Sequence, residues 1–121
     1  MDKYSLVDSL KGINSHPNVE ISCLVETNGD VLASVGQSDT LKLETFGIMS
    51  ATIFGAAKTS SEQLNNNKPE QINIRSSDGC TLIFNFLKKY LLVVRADDNF
   101  DKDCIKEEFG KHINDIKNNI K

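Results

Sequence analysis

The sequence predicts a three-layer α+β sandwich in which helices cover both faces of a five-stranded antiparallel sheet. Two strand-like runs flank the dipeptide Asn28-Gly29, which is typical of a β-hairpin. Further strand-like runs follow one another between residues 71 and 96, with only short polar breaks. Helical patterns lie before, between and after these groups, so the predicted order is α-β-β-α-β-β-β-α. We expect the middle helix to cover one face and the terminal helices the other.

The first predicted helix spans residues 3–14. Its apolar residues recur every three or four positions, which places them on one face of a helix. These residues are Leu6, Val7, Leu10 and Ile13. The segment Ser15-His16-Pro17 closes the helix because proline cannot continue it. We expect His16, which directly precedes the proline, to lie in an exposed turn.

The first two strands form the predicted hairpin. Residues 19–26 alternate between the two faces of a strand, and residues 31–35 form the returning strand. The residues expected to share one face of the first strand are Val19, Ile21, Cys23 and Val25. Between the strands, Asn28 and Gly29 predict a two-residue turn with positive φ angles.

The middle helix is predicted over residues 40–65 and carries two apolar rows. One row is Leu43, Phe46, Met49/Ser50, Ile53, Ala57 and Leu64, and the other is Leu41, Ile48, Ala51/Thr52 and Gly55. A helix with one buried face needs one row, so two rows indicate contact on two sides. Small residues such as Gly47, Ala51 and Gly55 let another backbone approach, either the protein's own sheet or a second subunit. We favour a subunit, because a small domain has only one sheet to offer.

Three strands are predicted after this helix. Residues 71–76 alternate apolar and polar side chains, which favours an edge strand. Residues 80–86 and 90–96 are apolar on both faces, which favours positions in the middle of the sheet. The turns that join the three strands are predicted at Ser77-Asp78-Gly79 and Leu87-Lys88-Lys89.

The closing helix is predicted over residues 100–120, with Asp97-Asp98-Asn99 as its cap. Its apolar stripe consists of Ile105, Phe109, His112/Ile113, Ile116 and Ile120. We expect His112, which lies beside this stripe, to be partly buried and hydrogen-bonded rather than a metal ligand.

Length and charge exclude several classes of protein. The 121 residues predict a single domain over residues 1–121, and the net charge of −3 gives no attraction to nucleic acid. The N-terminus has no signal-like apolar run, and no run approaches the ~20 residues needed to cross a bilayer. We therefore expect a cytoplasmic protein without direct membrane insertion.

The sequence lacks the common catalytic and metal-binding signatures. The motifs GxxxxGK[ST], GxGxxG and GxSxG are missing, and His16 and His112 lie far from any Cys- or Ser-based motif. Cys23, Cys80 and Cys104 are widely spaced, form no CxxC pair and are best interpreted as reduced cysteines. We expect a protein that is not an enzyme and that binds no metal and no cofactor.

The element order and several sequence stretches resemble the roadblock/dynein light chain family, whose fold is profilin-like. The stretches are the hairpin VEISCLVETNGDVLAS, the helix FGIMSATIFGAAKTSSEQL and the meander QINIRSSDGCTLIFNFLKKYLLVVRAD. A short first helix before Pro17 and a closing amphipathic helix complete the resemblance, which covers residues 3–120.

The resemblance implies a homodimer, or a heterodimer with a paralogue, in which third strands pair across a two-fold axis and second helices pack together. The dimer-interface residues that it implies are Gln71, Ile72, Asn73, Ile74, Arg75, Ile48, Thr52 and Gly55. It also implies a platform for a Ras-like small GTPase, as an activating or exchange component or an adaptor. The expected partner-binding residues are Leu41, Thr45, Thr59, Lys88 and Lys89.

Two alternatives use similar sheets. One is a longin- or profilin-like interaction module, although longin domains usually begin with a strand and this chain has no Trp for a proline-rich ligand. The other is a small-ligand sensor, whose cavity Cys80, Thr81 and Asn85 would line.

Overall fold

The helices and strands follow one another in the predicted order. The computed structural model describes residues 3–36, 42–65, 69–100 and 105–120. The helices are α1 (Lys3–Asn14), α2 (Leu43–Asn65) and α3 (Ile105–Ile120), and the strands are β1 (Val19–Glu26), β2 (Val31–Gly36), β3 (Gln71–Ser76), β4 (Gly79–Phe86) and β5 (Tyr90–Asp97).

The strands form one antiparallel sheet in the order β2-β1-β5-β4-β3. The pairing of β1 with β5 joins the early hairpin to the later meander. The apolar strands β4 and β5 lie inside the sheet, while β2 and β3 form its two edges. This arrangement confirms that residues 71–76 form an edge strand.

Two apolar clusters, one on each face of the sheet, give the molecule its three layers. On one face, α1 and α3 pack against the sheet through Leu6, Leu10, Ile13, Phe109 and Ile116. On the other face, α2 contributes Phe46 and Phe54 to a cluster with β1, β4 and β5. Both faces of the central strands are therefore buried, as their continuous apolar sequences predict.

The predicted alternation along β1 is wrong at Val19. Ile21, Cys23 and Val25 face α2, whereas Val19 packs in the cluster beneath α1 and α3. The pairing of β1 with β5 shifts register between Val19 and Ile21. This irregularity reverses the side-chain alternation, because one extra residue moves a side chain to the opposite face.

The turn between β1 and β2 is longer than the predicted two residues. The amide of Gly29 donates to the carbonyl of Glu26 at 2.8 Å, and the amide of Glu26 donates to the carbonyl of Asp30 at 2.8 Å. Within this loop only Gly29 has a positive φ, of 99°. These features describe a three-residue loop that ends in a left-handed glycine, and Asn28 instead accepts the Asp30 amide through its side chain.

The last helix does not begin at residue 100, contrary to the prediction. Phe100 is buried outside the helix, and its amide donates to the carbonyl of Asp97 in a turn after β5.

The predicted exposure of His16 is also wrong. The His16 ring packs edge-on against Phe100, with 5.1 Å between ring centroids, and is half-buried. It also lies near Phe109, so the loop after α1 is part of the packing beneath α3.

His112 is half-buried, as predicted, and lies over Gly12 of α1. A Cβ atom at residue 12 would overlap the His112 ring, so this glycine lets α1 and α3 pack closely. Cys23 and Cys80 are buried and free, as expected, whereas Cys104 lies outside the described residues.

Candidate protein-binding surface

The buried face of α2 differs in part from the predicted row. Phe46, Ser50 and Phe54 are buried, and Ile53 and Ala57 are half-buried. The other predicted members of this row, Leu43, Met49 and Leu64, are exposed. Phe46 and Phe54, eight residues apart, define the side of α2 that faces the sheet, and this spacing is the sequence signal for the buried face.

The opposite side of α2 is exposed although it is mostly apolar or small. We call this surface the α2 outer face; it consists of Thr45, Ile48, Met49, Thr52, Gly55, Ala56 and Thr59. Ile48 is 59% exposed and Met49 is 54% exposed. The hydroxyl of Thr52 donates to the Ile48 carbonyl at 2.8 Å, so this polar group is already bonded within the helix. Exposed apolar surface of this kind often marks an interaction site.

Small residues in α2 were predicted to allow close approach of either the protein's own sheet or a second subunit, and Gly47 and Gly55 differ in this respect. A Cβ atom at Gly47 would lie 2.7 Å from the Gly29 carbonyl oxygen, so Gly47 serves close packing within the chain. At Gly55 an added Cβ atom would meet nothing within 4 Å. A glycine inside a helix costs about 1 kcal/mol relative to alanine, and no contact of the described chain explains it at Gly55.

Strand β3 provides a second exposed element, at the edge of the sheet. Its one neighbour among the described strands is β4, and five of its six side chains are exposed, Ile72 being the exception. The Asn85 amide donates to the Glu70 carbonyl at 3.0 Å. Since hydrogen bonding alternates along an antiparallel pair, the backbone groups of Gln71, Asn73 and Arg75 point away from β4. An open row of this kind can pair with another strand.

The side chains of β3 divide between the two faces of the sheet. Ile72 packs against the apolar cluster beneath α2, on which Ile53 of α2 also packs. Ile74 has the same alternation as Ile72 and is 39% exposed. The predicted dimer-interface residues Ile72, Ile74 and Ile48 therefore lie on the same side of the sheet as α2.

A cleft between α2 and two turns contains two lysines. We call it the basic cleft; its lining residues are Thr27, Ala51, Phe54, Gly55, Lys58 and Lys88. Lys58 extends from α2, and Lys88 belongs to the turn between β4 and β5. The amide of Thr27 donates to the Lys89 carbonyl at 2.9 Å, which joins this turn to the one after β1. Lys58 and Thr27 were not among the predicted site residues, since neither stands in a motif.

A second cleft lies where α2 crosses the turn between β1 and β2. Its lining residues are Asn28, Gly29, Asp30, Val31, Glu44 and Ile48, so its charged groups are carboxylates. The α2 outer face is therefore bordered by negative charge near its first turn and by positive charge near Lys58. Of the remaining predicted partner-binding residues, Lys89 is exposed and Leu41 lies outside the described residues.

The residues proposed for a sensor cavity do not share one cavity, because Asn85 lines a cleft with Gly110 and Ile113 of α3 that Cys80 and Thr81 do not line. Cys80 packs in the cluster beneath α1 and α3. Thr81, the next residue along β4, points to the opposite face. The side-chain amide of Asn85 donates to the Tyr90 carbonyl at 3.1 Å and so braces the adjacent turn. The first described element is the helix α1, as predicted.

Among the described residues, Cys23, Cys80 and Asp78 have shifted pKa values, and burial is the main cause that raises the pKa of the Cys80 thiol. Burial raises the pKa of the Cys23 thiol from 9.0 to about 12, so this cysteine is not a nucleophile at neutral pH. The hydrogen bond from the Ser76 hydroxyl is the main cause that lowers the pKa of Asp78, and Arg95 also contributes from 3.3 Å. Arg95 is thus held in a surface ion pair, whereas Arg75 is exposed on β3.

Within residues 3–36, 42–65, 69–100 and 105–120, no group of three or more His, Cys, Asp or Glu side chains could hold a metal ion. A helix long and apolar enough to cross a membrane is likewise missing from this part of the chain.

The profile of the Roadblock/LC7 domain matches residues 6–96. These residues extend from α1 to the end of β5, so the match includes α2 and β3. A search against curated proteins found no match to this sequence.

Solved structures share this fold at low sequence identity. MglB of Myxococcus xanthus is 13% identical and aligns over 98% of this chain and 90% of its own, with a TM-score of 0.90. A Roadblock/LC7 domain from Streptomyces avermitilis is 9% identical, covering 98% and 97%, with a TM-score of 0.82. A profilin from Schizosaccharomyces pombe is 14% identical, covering 98% and 96%, with a TM-score of 0.59. Because the profile match spans most of the sequence, the chain belongs to the Roadblock/LC7 family.

Proposed function

We propose that this chain is a non-enzymatic, dimeric scaffold that regulates a Ras-like small GTPase. The observation that carries the proposal is that a Roadblock/LC7 member has two exposed elements with no partner among the described residues. These elements are the open edge of β3 and the α2 outer face. MglB, at 13% identity, shares the fold of this chain. Our proposal includes that the whole chain acts as one cytoplasmic domain.

The proposed dimer forms by antiparallel pairing of β3 with β3 of a second copy. The open backbone groups belong to Gln71, Asn73 and Arg75, so a two-fold axis at Asn73 lets all three take part. This register places Ile72 opposite Ile74 of the partner subunit, on the face that carries α2. The pairing would satisfy the open backbone hydrogen-bonding groups of β3 and bury Ile72 and Ile74 of the two subunits together. A paired edge is also less open to the addition of other strands.

Packing of the two α2 helices completes the proposed interface through Ile48, Thr52 and Gly55. Large exposed side chains lie in the first half of the α2 outer face, and small residues lie in the second half. In an antiparallel pair centred on Thr52, the large side chains of each subunit would meet the small residues of the other. The same surfaces could pair with a paralogue, and co-expression with paralogues of the same genome distinguishes the two cases.

The GTPase is proposed to dock on the paired helices, near Leu41, Thr45, Thr59, Lys88 and Lys89. The two arginines of the sequence are poor candidates for a catalytic finger, because Arg95 is paired with Asp78 and Arg75 lies in the proposed dimer strand. We therefore expect any stimulation of GTP hydrolysis to come from repositioning residues of the GTPase itself.

The test is a panel of the Ras-like GTPases encoded by the same genome. Each is loaded with GTP or GDP, and binding, hydrolysis and nucleotide exchange are measured with and without this chain. We expect one member to bind with a preference for one nucleotide state. Binding without a change in either rate would leave an adaptor, and failure of every GTPase to bind would overturn the regulatory role.

A further inference from the structure

The basic cleft carries positive charge that the described chain does not neutralise. Its lining contains Lys58 and Lys88 and no carboxylate. Within the described residues the one ion pair joins Arg95 to Asp78, so neither lysine has an acidic partner there. Two lysines from separate elements, neither in a described ion pair, thus line one cleft of a chain whose net charge is −3. They form a local positive site on a weakly acidic molecule.

The backbone that presents Lys88 is strained. Leu87 and Lys88 have φ angles of 50° and 65°, and these are the described non-glycine residues with positive φ. A left-handed conformation at such residues costs of order 1–3 kcal/mol and persists only where surrounding contacts enforce it. Here the bond from the Thr27 amide to the Lys89 carbonyl braces the turn. The strained conformation places Lys88 in the wall of the cleft, across from α2.

The cleft also has room for a group from outside. Gly55 lies in its wall, and a side chain added there would meet nothing within 4 Å. Phe54 of the same helix also lines the cleft, but its side chain is 4% exposed and packs against the sheet. A group that enters would therefore approach α2 beside Ala51 while its charge lies near Lys58 and Lys88.

We propose that the basic cleft binds a carboxylate side chain from an acidic surface segment of the GTPase that docks on the paired α2 helices. This inference rests on the proposed function, since it assigns a charge to the partner's contact surface. The charge of the cleft favours an acidic group, and its position beside Thr59 and Lys89, near which the GTPase is proposed to dock, favours a protein surface. The net charge of −3 disfavours nucleic acid and acidic membranes.

Each α2 helix has carboxylates near one end and lysines near the other. Asp30 and Glu44 line the cleft at its first turn, whereas Lys58 and Lys88 line the basic cleft. An acidic segment of the partner is therefore attracted to the lysine end of a helix and repelled from the carboxylate end. Such complementarity sets association rate and specificity more than affinity.

The test uses the full-length protein labelled with ¹⁵N and a capped peptide, acetyl-Gly-Asp-Leu-Glu-Gly-amide, followed by NMR titration. We expect saturable shifts that cluster at the amides of Thr27, Gly55, Lys58 and Lys88. The matched peptide with Asn and Gln in place of Asp and Glu should bind about tenfold more weakly or not at all. Equal binding of both peptides, or no saturable shift at these amides, would overturn the proposal.

A charge-matched pair of variants locates the site. The double variant Lys58→Gln/Lys88→Gln should weaken peptide binding about tenfold. The control Lys11→Gln/Lys111→Gln removes equal charge from α1 and α3, on the opposite face of the sheet, and should leave binding unchanged. If both double variants lose binding equally, the effect is one of net charge and the site is wrong.

Two further titrations distinguish binding of a protein carboxylate from binding of other anions. Inorganic phosphate at the peptide's concentration, and vesicles containing phosphatidylserine, should leave the four amide signals unchanged. A response to phosphate equal to that of the peptide would indicate a small-anion site, and a response to vesicles would indicate a membrane contact, either of which contradicts the proposal. Sedimentation of the Lys58→Gln/Lys88→Gln variant should show an unchanged association state, so this test and that of the dimer can fail separately.

Discussion

Gly47 of α2 lies directly against Gly29 of the turn between β1 and β2. A Cβ atom at residue 47 would lie 2.7 Å from the Gly29 carbonyl oxygen and 2.7 Å from a methyl group of Val31. Gly29 in turn has a φ of 99° and is close to Ile48, which a Cβ atom at residue 29 would approach to 3.3 Å. The two glycines let α2 lie on the turn, and this contact directs the α2 outer face away from the sheet.

Replacement of Gly47 by alanine should destabilise the fold. The added methyl would press on a backbone carbonyl, which cannot move as a flexible side chain can. We expect Gly47→Ala to lower the free energy of unfolding by about 1–3 kcal/mol, as overpacking does. Urea unfolding at several protein concentrations measures this change and separates it from any effect on association.

Gly55→Ala is the matched control, because it makes the same change in the same helix where space is open. At concentrations that favour the monomer, it should stabilise the fold by up to about 1 kcal/mol through helix propensity. A Gly47→Ala protein as stable as Gly55→Ala would show that α2 does not contact the turn as described.

Truncating a side chain on the buried side of α2 should destabilise the monomer, whereas truncating one on the α2 outer face should weaken association. Phe54→Ala empties a buried position and should cost about 3–5 kcal/mol of unfolding free energy. Met49→Ala, on the α2 outer face, should change the stability of the monomer by less than about 0.5 kcal/mol and should weaken association. The measurements are urea unfolding and sedimentation of each variant, and a large loss of monomer stability in Met49→Ala would mean that the two sides are assigned wrongly.

The buried thiol of Cys23 should make the fold less stable at alkaline pH. Its pKa is about 12 when folded and 9.0 as the ordinary value, so above pH 9.0 the unfolded chain loses a proton that the folded chain retains. The free energy of unfolding should therefore fall as pH rises from 9.0 towards 12. The slope from this group is at most about 1.4 kcal/mol per pH unit.

The comparison for this prediction is Cys23→Ala, whose unfolding free energy is lower at neutral pH but should fall less steeply above pH 9.0. Urea unfolding from pH 7 to 10.5 gives both slopes. Identical slopes would contradict the assignment of the thiol.

The order and placement of the elements could be predicted because their apolar patterns are strong. Continuous apolar runs identified β4 and β5 as interior strands, and the alternation in β3 identified an edge. The irregularity at Val19 could not be predicted, because it depends on the pairing of β1 with a strand about 70 residues away. The burial of His16 likewise depends on a long-range contact, with Phe100.

The candidate site was predicted in part. The exposed positions of Thr45, Ile48 and Thr59 follow from helical periodicity once one side of α2 is known to face the sheet. The separate roles of Gly47 and Gly55 could not be predicted, since both are glycines of the same helix and only the turn beneath Gly47 distinguishes them. The basic cleft was missed because Lys58 and Lys88 come together only through the packing of α2 near two turns.

The most direct test of the account is the mass of the protein in solution, measured by sedimentation equilibrium for the wild type and for Ile72→Lys/Ile74→Lys. The account predicts a wild-type dimer and a folded, monomeric variant, because charges would face each other at the paired β3 strands. Ser34→Lys, on the other edge strand β2, is the control and should remain dimeric. A wild-type monomer, or a variant that stays dimeric, would contradict the proposed pairing through β3.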